Sequence, residues 1–592
     1  WESANSGCHG RTFYYRPVHF LSAILTYQIS SQPWFFHLVN LMYLFAAASL
    51  VFLLARMLTK DYTASVLAAV FFIIHPINSE TVNFVSAVPD LAYTVFALLT
   101  VILYIQYRKS SALAKLILVY VFYFIAILSK EPAILIPIIL LSLDLLFFKF
   151  KIKDLLRLRE LVRYAVFGAL FLIYLLMRHA VLGVGPQFGQ FSLAERIHTT
   201  LTLFGQYAAK LFYPYPLALY HSFEKSSDFI SFSFLGSVII ALAFFGVLFV
   251  FIKKGKPVFA FALIWFLVFL LPVLTFLGGV GENVLSERYF FGPSIGFSFL
   301  LASLFSRALA TPRIGKLGAL LALSFLLIIS WLSVSPRNLE WRDNITLYTK
   351  TLRQNPDSHI VRRELAAIYI EQGELEKGKR EFEEILNRDK DWRDITMVYK
   401  GLGDYYRITG DSEQALEYYK KSAATGHSAR DYVPRNDLGM LYMEKNEYLK
   451  AFASFCEGLQ LYSESQVLRD NFNAALGFLD SEYIQEGILH EKILEEFDKS
   501  SDEKIVYRDK RCDNKSCQYA FSFQASQFEV LPPFLITAAT ASGKELEIIN
   551  KGFNPETSII ILELDSKHKD QILTFLFPTC QGVYYEAIAN PQ

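Results

Sequence analysis

The chain is short of charge. Asp, Glu, Lys and Arg together make up 19% of its 592 residues, where an ordinary soluble protein carries about 25%. Hydrophobic residues reach 53% and the mean hydropathy is +0.31, so a wholly soluble protein is excluded. The shortage is uneven. Leu, Phe, Ile and Ala dominate up to about Val334, and after Glu340 the chain turns charged and Tyr-rich. The net charge of +1 averages two unlike halves and says nothing about partners. No basic patch with interleaved aromatics lies outside the membrane loops, which argues against nucleic acid as a partner. The chain opens at Trp1 without the charged stretch and apolar core of a signal peptide. Paired acids or Gly/Pro breaks at the membrane midplane are missing too, which disfavours a transporter.

What is present is a series of apolar runs. A spanning helix needs about 20 mostly apolar residues. Ten segments are candidates: 37–58, 64–76, 91–107, 112–128, 132–148, 161–177, 232–251, 258–277, 290–305 and 317–334, of which 64–76 is short and spans only with help from its flanks. Residues 200–212 are apolar on one side and read as an interfacial helix. Basic residues fall in alternate loops: Arg56/Lys60, Arg108/Lys109/Lys115, Lys149 to Arg159, Lys253/Lys254/Lys256 and Arg307/Arg313/Lys316. The positive-inside rule makes that side cytoplasmic. The opposite side then carries Arg16, Glu80, Asp90, Lys130, Glu131, Glu287 and Arg288, each beside a span. Ionisable groups at such depth either anchor helices or face a wet cavity. Asp144, inside a span near Lys149, reads as a pairing residue.

After Trp341 the chain repeats at close to 34 residues. Leu365-Ala366 with Tyr369, Gly373 and Phe382 form one unit. Leu402-Gly403 with Tyr406, Gly410, Ala415 and Tyr419 form a second, and Leu438-Gly439 with Tyr442, Ala451 and Phe455 a third. A weaker fourth runs through 473–497. Stacked helix pairs of this kind bury a core only against each other and offer a concave binding surface. From about Ser501 short β-rich runs alternate with turn clusters. Cys512, Cys517 and Cys580 lie there. On an oxidising side one disulfide is expected among them. Cys512 and Cys517 also match half a zinc site, but no second pair sits at matching spacing. Cys8 and Cys456 receive no role.

The domains expected are therefore a membrane bundle over 1–336, repeats over 337–500 and a small β-rich domain over 501–592. The fold class is mainly α.

Several strings carry a family resemblance: Tyr15-Arg16-Pro17, His75 to Val82 followed by Pro89-Asp90-Leu91, Ser129-Lys130-Glu131-Pro132 with Leu143-Asp144-Leu145, Ser286 to Ser294, and Trp341-Arg342-Asp343. In this order the chain resembles the transmembrane and tetratricopeptide-repeat-containing O-mannosyltransferases and their bacterial relatives in the GT-C glycosyltransferase superfamily. The resemblance implies a GT-C-like bundle that moves mannose or another hexose from a polyprenyl-phosphate carrier to a protein or envelope acceptor on the non-cytoplasmic face, with the repeats recruiting the acceptor and membrane lipid surrounding the bundle. It implies substrate-binding roles for Arg16, His75, Lys130, Glu287 and Arg288. A departing phosphate calls for Arg or Lys nearby, and Arg16, Lys130 and Arg288 supply them. An acceptor hydroxyl calls for a carboxylate base. The family carries that acid in its first outer loop ahead of a Trp. Here only Glu2 precedes Arg16, so the resemblance places the acid and one more span upstream of Trp1. Glu80, Asp90 and Glu131 are the substitutes within the chain. No cofactor is required by any motif; a divalent metal is left open and no metal ligands are assigned. A bacterial inner membrane with periplasmic repeats is favoured, with the endoplasmic reticulum as alternative. The competing functions are a non-enzymatic scaffold for envelope assembly and a polysaccharide ligase or polymerase.

Overall fold

A computed structural model describes residues 14–479, apart from breaks at 149, 183–191, 222, 224–227, 276–283, 312, 391, 393, 426–431 and 463–464; beyond 479 it describes only the backbone of the strands between 498 and 589. Chain contacts divide the described residues into two compact units, one running to Leu365 and the other starting at Ala366.

The first unit is a helical bundle. Each of the ten apolar runs lies on a helix, but not all are full-length spans. Among the described helices, Pro33–Thr59, Val85–Ser110, Leu158–Leu182, Phe232–Lys253, Pro257–Thr275 and Gly315–Glu340 are long and apolar enough to cross a membrane. The pair Tyr62–Ile74 and Pro76–Asn83 adds a seventh if its 53° bend is one broken span. Leu113–Ser129 and Ser294–Leu309 are shorter. The run at 132–148 is interrupted: a tight turn at Glu131–Leu135, with Pro132 in it, precedes the Ile136–Phe147 helix, which carries Pro137 in its first turn. Proline is tolerated at the first turn of a helix, where no amide partner is lost.

The outward surface of this unit is apolar. Only 11% of the Phe232–Lys253 window and 6% of the Gly315–Glu340 window is buried in the protein. Phe232, Leu242, Phe249, Leu321 and Trp331 stand exposed. A surface this apolar needs lipid as its solvent, and the protein is a multi-pass membrane protein. The interior is packed by Val85–Ser110, 83% buried over its apolar window, with Phe72, Tyr104, Tyr123, Trp265 and Phe291 among its fully enclosed side chains.

The second unit begins with paired helices. Leu375–Arg388 follows His359–Glu371, Ser412–Ala424 follows Ile395–Thr409, and Tyr448–Leu461 follows Tyr432–Glu444. Gln466–Phe478 comes next, and the remainder of the expected fourth repeat lies outside the described residues. The turn within each pair needs a left-handed residue, supplied by Gly373, Gly410 and Asn446. The repeat pattern has a direct packing cause. A Cβ on Gly403 would stand 2.5 Å from the Tyr419 ring, and one on Gly439 would stand 2.5 Å from the Phe455 ring. The small residue after Leu makes room for the aromatic of the partner helix. Cys456, given no role by the sequence, is disulfide-bonded.

The strand backbone forms ladders. Ile505–Cys512 pairs antiparallel with Ser516–Phe523, which pairs with Ile559–Asp565. Leu573–Pro578 pairs with Val583–Ala589 and Thr537–Thr540. Cys512 and Cys517 are register partners across their hairpin; Cys580 lies outside the described residues.

Candidate functional site

The Leu113–Ser129 helix ends in an extended residue, Lys130, and Pro132 starts a tight turn directly after it. Extended backbone sends neighbouring side chains to opposite sides. Lys130 Nζ therefore reaches Asp90 Oδ1 at 2.5 Å, while Glu131 takes Arg16. Arg16 donates Nη2 to Glu131 Oε2 at 2.7 Å and Nε to both carboxylate oxygens at 3.2 Å. Asp90 lies in the first turn of Val88–Ser110, where the helix dipole favours a carboxylate. Arg16 precedes the Pro17–Ile29 helix.

Aromatic rings bind these pairs into one cluster. Tyr289 lies 5.1 Å from Lys130 Nζ and 5.4 Å from the Arg288 guanidinium carbon. Arg288 also covers the Phe84 ring at 5.7 Å, and Arg16 covers Tyr14 at 4.2 Å. Lys130, Asp90 and Arg288 thus meet around Tyr289, and the Arg16–Glu131 pair adjoins them through Asp90 and Lys130. Arg16 and Lys130 are each held by a carboxylate. Arg288 hydrogen-bonds the Tyr289 hydroxyl but forms no ion pair within 4.0 Å among the described residues; Glu80 and Asp90 act on it only from further away. It remains partly exposed.

Burial pushes the Lys130 ammonium down to about 8, helped by the like charges of Arg16 and Arg288, although Asp90 pulls the other way. The carboxyl of Glu131 is lowered too: burial would raise it, but Arg16 holds it below its ordinary value.

Glu80 and Glu287 belong to a second, fully buried cluster. Ser286 Oγ donates to Glu80 Oε1 at 3.1 Å. Glu287 Oε1 accepts from the Ala218 N–H at 2.7 Å and lies 3.2 Å from His221 Nε2 and 4.0 Å from Lys210 Nζ. Its Oε2 is 3.7 Å from Arg337, which is paired to Glu340 at 2.6 Å. Burial pushes Glu287 up to about 7 against the pull of Arg337 and Lys210. His221, enclosed beside Lys210, is pushed down to about 3 by burial first and then by that like charge. Glu287 bolts the loop before Phe232, the Leu193–Phe212 helix and the end of Arg313–Glu340 to the turn that carries Arg288. His75 is not brought to the cations either. Its Nδ1 accepts from the Ile77 N–H at 3.3 Å, which leaves Nε2 to donate to the Leu211 carbonyl at 3.0 Å.

Sequence reasoning missed His221, Lys210 and Arg337. Lys210 and His221 sit in a long segment with no motif, and Arg337 follows a span end next to Pro336, so only tertiary packing reveals them. Asp144 pairs with other residues, as expected. Its Oδ2 accepts from Tyr104 at 2.6 Å, Arg108 at 3.0 Å, Tyr164 at 3.3 Å and Arg163 at 3.5 Å. Among the described residues no three His, Cys, Asp or Glu side chains form a metal-binding group.

The fold and this cluster define a multi-pass membrane protein with tetratricopeptide repeats and an ionised aromatic site at one end of its bundle. The repeats match the tetratricopeptide repeat family over residues 357–425. The chain is also similar to the protein O-mannosyl-transferase Tmtc1 of Drosophila melanogaster, 35% identical over 131 residues. The match spans 22% of this chain and 15% of that relative.

Proposed function

We propose that the protein is a GT-C-type glycosyltransferase that takes a hexose from a polyprenyl-phosphate carrier and passes it to a protein or envelope acceptor on the non-cytoplasmic side of the membrane. The observation that carries this reading is Arg288, a partly exposed cation with no ion pair within 4.0 Å. It stands beside Lys130 and Arg16 in a bundle whose surface is apolar. A lipid phosphate held there meets a guanidinium whose five N–H donors suit phosphate oxygens. Lys130 adds positive potential, and a desolvated site strengthens both as charge develops on the leaving phosphate. The partial likeness to a protein O-mannosyl-transferase supports the sugar chemistry, and mannose is the first donor to try. The repeats are proposed to recruit the acceptor and the β-rich region 501–592 to form a separate domain beside them. The positive-inside pattern supports placing this end on the non-cytoplasmic face, in a bacterial inner membrane or in the endoplasmic reticulum.

Glu131 and Asp90 are engaged with Arg16 and Lys130, and Glu80 is fully enclosed. That observation favours the second reading, a tetratricopeptide scaffold in which the bundle only anchors. Transfer from radiolabelled polyprenyl-phosphate mannose and glucose to envelope or microsomal protein separates the two. Loss of transfer in Arg288→Ala, with the protein folded, supports the enzyme. Transfer equal to wild type in Arg16→Ala, Lys130→Ala and Arg288→Ala together would overturn this site.

A further inference from the structure

A shelf of residues adjoins Arg288, and the ion-paired Arg337 braces its Trp341 ring at 5.6 Å. The Phe84 ring under Arg288 lies 5.8 Å from the Trp341 ring, tilted by 40°. The Phe84 backbone is fixed from behind: Asn40, fully buried, donates to the carbonyls of Val82 at 3.0 Å and Phe84 at 3.2 Å. Beside the rings, Asn83 Nδ2 donates to Asn338 Oδ1 at 2.8 Å across an exposed contact. The Trp341 indole N–H has no acceptor among the described residues.

These groups have the chemistry of a pyranose subsite. A hexose has an apolar C–H face and a rim of hydroxyls, each both donor and acceptor. Two tilted rings offer a wall to the face, as aromatic side chains do in most small-ligand sites. The amide pair serves the rim. Whichever way the two amides are turned, their mutual hydrogen bond leaves one carbonyl oxygen and one amino group free, an acceptor and a donor side by side. A sugar joined to a phosphate at Arg288 by one ester bond falls beside the same ring that Arg288 covers. We propose that Phe84, Trp341, Asn83 and Asn338 form the subsite for the hexose of the lipid-linked donor. The inference rests on the function proposed above and names a place for the sugar that the phosphate-binding cations do not define.

The test measures affinity of the detergent-purified chain for two probes, a short-chain polyprenyl phosphate and the same lipid carrying mannose. The sugar is expected to tighten binding about tenfold in the wild type. Trp341→Ala and the double variant Asn83→Ala/Asn338→Ala erase that difference and leave affinity for the bare lipid phosphate unchanged, which also shows that they are folded. Trp341→Phe retains most of it. Arg288→Ala weakens both probes. A sugar-dependent difference that survives in Trp341→Ala and the double variant overturns the subsite. A wild type that binds both probes equally also overturns it while the phosphate site stands. A wild type that binds neither overturns the proposed function along with it.

Discussion

The Val88–Ser110 helix carries a buried ionic cluster at each end, and the two are built differently. Asp90 marks one end and Tyr104 the other, about 21 Å apart at 1.5 Å per residue. At the Tyr104 end, Arg108 and Arg163 face Asp144 and Glu160, so cations and carboxylates balance. Two tyrosine hydroxyls complete the shell of one carboxylate oxygen. At the Asp90 end, Arg16 pairs with Glu131 and Lys130 with Asp90, while Arg288 has no carboxylate within 4.0 Å among the described residues and feels Glu80 and Asp90 only from further away. Burying ions is costly, and packing tolerates it only when the partners are complete. A complete cluster is a lock. An incomplete one at a partly open site is a place for an anion that the protein does not itself supply.

Breaking the lock is expected to have the largest effect. Asp144→Ala leaves Arg108 and Arg163 to share Glu160 alone, and removal of one partner of a buried pair costs about 3–5 kcal/mol. The variant is expected to unfold or aggregate in detergent, read by size-exclusion profile and unfolding temperature; wild-type behaviour would deny the lock. At the open end, Arg288→Ala is expected to lower sugar transfer by roughly 100-fold, the size of effect seen when one donor to a developing oxyanion is removed. Its unfolding temperature stays near wild type because no ion pair is lost. Gly403→Leu sharpens the comparison with the soluble unit, where no charge is involved. Its side chain meets the Tyr419 ring, and overpacking of this kind costs about 1–3 kcal/mol. Limited proteolysis is expected to open the repeats and leave transfer chemistry on a small soluble acceptor intact.

Two pH effects are smaller. Glu287 has a folded value near 7, above its ordinary 4.5. Between these values the folded state binds more protons than the unfolded one, so stability falls as pH rises from about 4.5 through 7. Glu287→Gln is expected to flatten the unfolding temperature over that window; an unchanged slope would place the titration elsewhere. Lys130, near 8, loses charge as pH rises past that point. Affinity for a lipid phosphate is therefore expected to fall between pH 7 and pH 9 in the wild type, and Lys130→Arg is expected to remove the fall.

Much of this was legible from periodicity and little from spacing. Apolar runs found most bundle helices, though not Pro17–Ile29, because lipid and core both demand them, and the shortness of the 64–76 run was already visible; run length could not see that Pro132 and Pro137 break one segment. The Leu-small-Tyr phase found the repeats because Gly403 and Gly439 face aromatic rings. Arg16, Asp90, Lys130, Glu131 and Arg288 were found because each flanks a span on the same side. Their pairing was not, since Lys130 and Glu131 diverge through one extended residue. Glu287 sat in the same motif as Arg288 yet turns inward to Ala218, His221 and Arg337. No sequence pattern separates two adjacent charged residues that face opposite ways. Asn83, Asn338 and Trp341 come together only when the Arg313–Glu340 helix ends beside the Ser79–Asn83 turn.

The central claim is that the unbalanced end of the bundle holds a lipid phosphate. Photo-crosslinking tests it most directly: a polyprenyl phosphate with a photoreactive group beside the phosphate is irradiated with the full chain in detergent, and the labelled peptides are mapped by mass spectrometry. Labelling is expected on the segments around Phe84, Lys130 and Arg288, competed by unlabelled polyprenyl phosphate and lost in Arg288→Ala. Labelling confined to the Arg108–Arg163 end, or unchanged in Arg288→Ala, would contradict it.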